Sequence, residues 1–215
     1  MVKSLLYRIK NKKMLGCRLC VSAAGIAGIG TGIGVLRATG LGADPLNTLV
    51  SGVATHVGIP YAVLFLLVNC GLFAAALVFR RGHGLIGPFT VLTLLFTGLL
   101  GELMLGLLPA GLGDLPAGAR TLIMAGGLSI QCLGVALSIV AGLGVSPYDA
   151  IAMIASRRTR FSMKTCRIAQ DFTCAGAGFL LGGTAGAATG VALCCMGPAI
   201  QLFERGLRRT VSRVC

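Results

Sequence analysis

Six apolar runs, at roughly 19–38, 60–79, 85–107, 121–141, 161–182 and 184–203, limit what this chain can become. Each comes close to the ~20 residues that an α-helix needs to cross the hydrocarbon of a bilayer. Two further apolar runs, at roughly 45–57 and 147–156, are too short to span. Composition agrees with a membrane solvent: 55% of residues are hydrophobic, 12% are charged, and mean hydropathy is +0.89. Soluble domains carry about 25% charged residues. The net charge of +13 raises the question of nucleic acid. That partner is excluded because the basic residues flank apolar runs, with no aromatic interleaving and no soluble domain to display them. The predicted fold class is therefore all-α, a polytopic membrane protein with six transmembrane helices.

The two short runs follow the same signature. Gly40-Leu41-Gly42-Ala43-Asp44-Pro45 recurs as Gly142-Leu143-Gly144-Val145-Ser146-Pro147, 102 positions later in a chain of 215. The same ungapped shift carries Arg18 onto Arg120, Gly25 onto Gly127, Gly32 onto Gly134, Gly84 onto Gly186 and Glu102 onto Glu204. Chance identities are expected in a Gly- and Leu-rich chain, but matched Arg, Pro and Glu are not. The chain reads as a basic N-terminus (1–17), a first membrane repeat (18–108), a Pro/Gly-rich outer linker (109–119), a second membrane repeat (120–204) and a basic tail (205–215). Each repeat holds three spanning helices and one short, Pro-initiated half-helix.

Basic residues orient this layout. With the N-terminus cytoplasmic and six alternating spans, every Lys and Arg except Arg37 and Arg120 falls on the cytoplasmic side. The positive-inside rule favours that orientation, with both termini cytoplasmic. The first basic stretch and its apolar run are kept as a helix rather than a cleaved signal, because the run recurs in the second half. Three crossings per repeat is an odd number, so the two repeats lie in opposite orientations. Inverted repeats are the architecture of many secondary transporters, an analogy of architecture alone.

The half-helices start in a defined way. Asp44 and Ser146 fall at N-cap positions and Pro45 and Pro147 at the first helical positions. A cap side chain accepts from an orphan N–H, while proline lacks one. Gly42 and Gly144 permit the sharp approach, and Asn47 and Asp149 complete the first turns. Such ends either hold an anionic group and gate a cavity, or form tight turns at the membrane surface. The fifth run is the most polar. Lys164, Arg167 and Asp171 share one helical face, and the repeat sets Asn69 against Asp171. Ionisable groups inside a membrane usually face a cavity or a partner. Asn69, Arg167 and Asp171 are thus candidate substrate-binding residues. Lys164 either joins them or snorkels to the cytoplasmic surface, and an Arg167–Asp171 pair that is purely structural remains open.

The other charged residues read as structural. Arg18 with Glu204, and Arg120 with Glu102, are expected as two equivalent ion pairs tying the repeats together. Arg37 has no repeat counterpart and reaches either an anion at the outer mouth or the headgroups. Gly28, Gly30, Gly32 and Gly34, and the Gly178 to Gly182 pair, mark close helix approach. The first run is not a dinucleotide loop, since its spacing and context are wrong. Nine cysteines, including Cys17-x-x-Cys20, read as small apolar packing residues. His56 and His83 are isolated, so no metal site is expected, and no nucleophile–base arrangement marks an enzyme.

Three stretches together resemble the bacterial YczE/YyaS/YitT membrane proteins. They are Gly40 to Gly58 (GLGADPLNTLVSGVATHVG), Gly142 to Ile151 (GLGVSPYDAI), and Arg167 through Phe203, ending in FLLGGTAGAATGVALCCMGPAIQLF. Ala188 stands where that pattern has Gly before Thr189, and Asn47 where it often has an acidic residue; Asp149 retains the acid in the second repeat. The resemblance implies a multi-pass protein of the bacterial inner membrane and brings no substrate with it. The function expected from these features is transport of a small solute, an anionic one being a candidate, through a midplane cavity between the repeats. The alternative is a non-transporting membrane subunit that binds a substrate or regulates a partner. The expected partners are the lipid bilayer and a small-molecule solute, with a homo-oligomer or partner subunit open; no cofactor is expected.

Overall fold

The computed structural model describes residues 12–79 and 85–214. The first eleven residues, Arg80, Arg81, His83 and Gly84 lie outside the described residues, and with them the expected match of Gly84 to Gly186. The described residues form eight α-helices and no strand: α1 (Lys12–Thr39), α2 (Pro45–Val57), α3 (Tyr61–Val78), α4 (Pro88–Leu107), α5 (Ala117–Ala141), α6 (Pro147–Arg158), α7 (Met163–Leu180) and α8 (Ala187–Val214). A single 3₁₀ turn, Leu112–Asp114, lies in the linker between α4 and α5. The basic tail is the end of α8 rather than a separate segment.

Five helices among the described residues are long and apolar enough to cross a membrane: α1, α3, α4, α5 and α8. This marks the chain as a membrane protein. The sixth expected span, α7, has 18 residues but carries Lys164, Arg167 and Asp171. Large apolar side chains cover the outside, among them Leu67, Leu99, Leu103, Leu122 and Phe179, each more than half exposed. An apolar exterior this extensive matches a lipid solvent. The interior is correspondingly mixed. Ile33, Leu36, Phe65, Leu128 and Met196 are buried beside Asp44, Asn47, Asn69, Gln131, Arg167 and Asp171.

Glycine decides how close α1 comes to its neighbours. A Cβ on Gly25 would stand 2.9 Å from the Gly134 carbonyl oxygen, and one on Gly32 would stand 2.8 Å from that of Gly127. Partners thus fall in number on α5 as they rise on α1, so the two helices run antiparallel. Gly30 and Gly34 face α4 instead, against Leu100 and Met104. Partners there rise together, so α1 and α4 run parallel. The two-apart glycines therefore serve two interfaces, in the manner of small residues between membrane helices. Gly178 packs against Thr48 of α2, whereas Gly182 has nothing within 4 Å and takes φ +69° at the end of α7. Only the first member of that expected pair is a packing glycine.

The signature loops cross over to the opposite half. Ala43 N–H donates to the Thr184 carbonyl oxygen at 3.1 Å, and Val145 N–H to that of Leu85 at 3.0 Å. Behind each pairing, a Gly-x-x-Thr turn opens a long helix. Gly87 N–H donates to Thr90 Oγ1 at 3.1 Å before α4, and Gly186 N–H to Thr189 Oγ1 at 3.3 Å before α8. These matching turns lie 99 positions apart, not 102. The expected match of Glu102 to Glu204 is therefore out of register by three residues.

The glutamates of both expected Arg–Glu pairs meet other arginines. Arg120 Nε donates to the Thr39 carbonyl oxygen at 2.9 Å, closing the end of α1, where orphan carbonyls and the negative helix pole attract a cation. Arg18 lies near the end of α5, with Nη1 4.0 Å from where a Gly142 Cβ would stand. Glu102 instead binds Arg37 at 2.7 Å, and Glu204 accepts from Arg208 Nε at 3.0 Å one turn along α8. Arg37 thus has a protein partner, and its guanidinium also stacks 3.8 Å from the Tyr61 ring centroid. Cys17 is disulfide-bonded while Cys20 is free, so the two are not one packing unit.

Candidate functional site

Each half-helix begins with the cap its sequence predicts. Asp44 Oδ1 accepts from Asn47 N at 2.8 Å and Ser146 Oγ from Asp149 N at 3.1 Å, with Pro45 and Pro147 opening the helices. Gly42 and Gly144 earn their place twice. Their φ values of +112° and +130° suit only glycine, and a Cβ at either would meet the Gly-x-x-Thr turn of the other half at 2.6 Å. The sharp approach and the crossing pairing are therefore one feature. The carboxylates are placed differently in the two caps: the first turn reads Asp44-x-x-Asn47 and the second Ser146-x-x-Asp149. Both half-helices consequently carry one buried aspartate in the first turn, Asp44 at the cap and Asp149 three residues in.

The two first turns line one cavity of about 50 Å³. Asp44 and Asn47 come from the start of α2, Ser146, Tyr148 and Asp149 from the start of α6, Asn69 from α3, Thr93 and Thr97 from α4, Gln131 from α5 and Arg167 from α7. Pro45 and Leu46 of α2, with Ile29, Ile33, Phe65, Val135 and Met196, complete the wall. The site thus draws on both halves of the chain.

Part of this lining belongs to a compact charge network. Arg167 Nη1 bonds Asp149 Oδ1, while its Nε donates to Asp171 Oδ1 and Oδ2 at 3.2 and 3.3 Å. Tyr148 Oη donates to Asp171 Oδ1 at 2.7 Å, and the guanidinium lies 4.7 Å from the Tyr148 ring centroid. Ser146 Oγ donates to Asp149 Oδ2 at 2.6 Å. One guanidinium therefore serves two carboxylates, all three residues being at most 6% exposed. In a second group, Asp44 Oδ2 accepts from Asn47 Nδ2 at 2.7 Å and from Gln131 Nε2. Tyr61 Oη donates to Asn47 Oδ1.

Of the residues singled out in the sequence, Asn69, Arg167, Asp44, Pro45, Asn47, Ser146 and Asp149 meet around this cavity, and Asp171 is bonded to Arg167. Asn69 Nδ2 turns back onto the Phe65 carbonyl oxygen at 2.9 Å. Lys164 does not join them. It is exposed and lines a separate pocket of about 20 Å³ with Glu204, on the far side of Arg167 and Asp149. Gln131, Thr97, Tyr148 and Tyr61 belong to the site without having been singled out. Gln131 had a legible signal, a polar side chain in the middle of an apolar run, like Asn69. The tyrosines and Thr97 had none, because each is ordinary in its local sequence. Among the described residues, no cluster of three or more His, Cys, Asp or Glu has the arrangement of a metal site.

A protein of Haemophilus influenzae, described only as uncharacterized, is 27% identical over 183 residues, covering 84% of this chain and 79% of that protein. No solved structure matches the chain. The model of a family of unknown function, DUF6198, matches residues 16–205. That match covers both signature loops, both half-helices and every residue lining the cavity, and the chain belongs to the DUF6198 family.

Proposed function

We propose that the protein is a small-solute carrier built as two inverted repeats, α1–α4 and α5–α8, with α7 serving as the sixth span. The observation that carries this reading is the shared cavity: two Pro-initiated half-helices, one from each half, direct their first turns at one buried polar space. Inverted-repeat carriers place solute at such a midplane junction. The helices related by the 102-residue shift, α1 and α5, run antiparallel through reciprocal glycine contacts, Gly25 with Gly134 and Gly32 with Gly127. Arg120 and Arg18 lie beside corresponding glycines at the ends of these two helices, Gly40 and Gly142. Counting α7 as a span is supported by where its residues face: Arg167 and Asp171 are buried, while Phe172, Phe179 and Leu180 are exposed. Six spans keep both termini on the cytoplasmic side of the cell membrane, in accord with the basic clusters.

Alternating access would open one signature-loop crossing while the other stays paired, since each loop is pinned to the opposite half. Reporter fusions after Thr55 and after Ser156 test the topology, the expected result being opposite faces of the bilayer. Counterflow in proteoliposomes holding the purified protein tests the carrier; Asp171→Ala is expected to abolish it, and normal flux in that variant removes Asp171 from the mechanism. A non-transporting subunit would bind solute in the same assay without flux. Its docking surface would be the basic stretch from Arg157 to Arg167, of which Arg167 is buried and Arg158 lies 4.2 Å from the Phe79 ring centroid.

A further inference from the structure

An anionic solute, the candidate suggested by two helix N-termini, meets carboxylates already at those ends. The Asn47 amide is taken by Asp44 and the Asp149 amide by Ser146, and Asp149 brings its own charge to the second first turn. The buried charge is also lopsided. Among the described residues lining the cavity, Asp44 and Asp149 share one cation, Arg167, which is committed to Asp149 and to Asp171 behind it, while the other buried arginine, Arg18, does not line the cavity. Asp44 holds only neutral donors, from Asn47 and Gln131. Two further polar atoms remain open beside it. Gln131 Oε1 and Thr97 Oγ1 have no hydrogen-bond partner, although both residues line the cavity and are 3% exposed. Buried polar atoms left unpaired are costly, so a group that satisfies them gains what they lack.

We propose that this cavity takes the ammonium group of a small protonated amine, with Asp44 as counter-ion and Gln131 Oε1 and Thr97 Oγ1 as the further acceptors. Three acceptors match the three N–H donors of a primary ammonium. The alkyl body would lie against Ile33, Phe65, Val135 and Met196. A volume of about 50 Å³ exceeds the ~10–15 Å³ that one water requires and suits a short chain. The assignment deepens the carrier reading, on whose cavity it rests.

The test uses the full chain in detergent, with n-propylammonium, propanol, propionate and sodium as probes in calorimetric titration and thermal unfolding. Propylammonium is expected to bind and to raise the unfolding temperature, while the other three do not. Asp44→Asn keeps an equally good N-cap and removes the charge. It is expected to weaken binding about 10- to 100-fold, the scale of a hydrogen bond to a charged group. Thr97→Val, a near-isosteric change, should weaken it less and leave unfolding without ligand nearly unchanged. The proposal is overturned if propylammonium fails to stabilise, if Asp44→Asn binds it equally well, or if propionate or sodium is preferred. Binding of the amine with no counterflow would leave the site standing and sink the carrier. Solute flux indifferent to Asp44→Asn would leave the carrier standing and sink the site.

Discussion

Arg167 shows how one side chain fixes the polarity of a membrane interior. It is held by Asp149 from α6 and by Asp171 from its own helix, and all three are buried. Removing the guanidinium leaves two carboxylates uncompensated. Arg167→Gln is expected to destabilise the protein by about 3–5 kcal/mol, measured by unfolding in detergent. Arg37 offers the contrast. Its bond to Glu102 is part-exposed, with side-chain exposures of 22% and 35%, and Arg37→Gln should cost no more than about 1 kcal/mol. Glycines separate in the same way. A Cβ on Gly87 would collide with the Leu143 carbonyl oxygen, whereas one on Gly71 meets nothing within 4 Å. Gly87 has an ordinary extended backbone, φ −147° and ψ −179°, so contact alone decides the outcome. Gly87→Ala is expected to cost about 1–3 kcal/mol, the usual penalty of overpacking. Gly71→Ala, inside α3, should be neutral or stabilising by up to about 1 kcal/mol; equal effects at both positions would refute the packing account.

At the scale of elements, local sequence was readable wherever local chemistry governs. Asp44-Pro45 and Ser146-Pro147 specify helix starts by capping and by the missing proline N–H, and both half-helices begin at those residues. The short run predicted at 45–57 is α2, and the one at 147–156 is α6 extended by two residues. Partner choice was not local. Nothing near Arg120 or Glu102 in sequence tells that the first reaches the end of α1 and the second meets Arg37. The three-residue change of register before α8 likewise becomes visible only when Gly87-x-x-Thr90 and Gly186-x-x-Thr189 are seen making the same turn. The polarity of α7 is legible in sequence, but which of its charges turn inward is a tertiary decision: Arg167 and Asp171 do, and Lys164 does not.

At the scale of the whole molecule, the crossing loops are where motion would show. Ser51 Oγ lies 3.1 Å from Thr184 Oγ1 and accepts from Thr184 N at 3.0 Å, joining α2 to the turn before α8. In a background whose other reactive cysteines are replaced, Ser51→Cys with Thr184→Cys is expected to cross-link under mild oxidation, since a disulfide needs approach of this order. If the signature loops part during the cycle, oxidation should stop counterflow and reductant should restore it. Undiminished flux in the cross-linked protein would mean that this crossing does not open.

The amino-acid sequence alone determined the apolar helices, their approximate limits, the paired half-helix starts and the polarity of α7, because spanning length, caps and charge are properties of a few consecutive residues. The tertiary structure alone decided that Gln131 and Thr97 join Asp44 at one cavity, that one arginine answers two aspartates, and that the Arg–Glu partners are exchanged. Those outcomes depend on distances between residues far apart in the chain, which close packing between glycine-faced helices sets and no local pattern encodes.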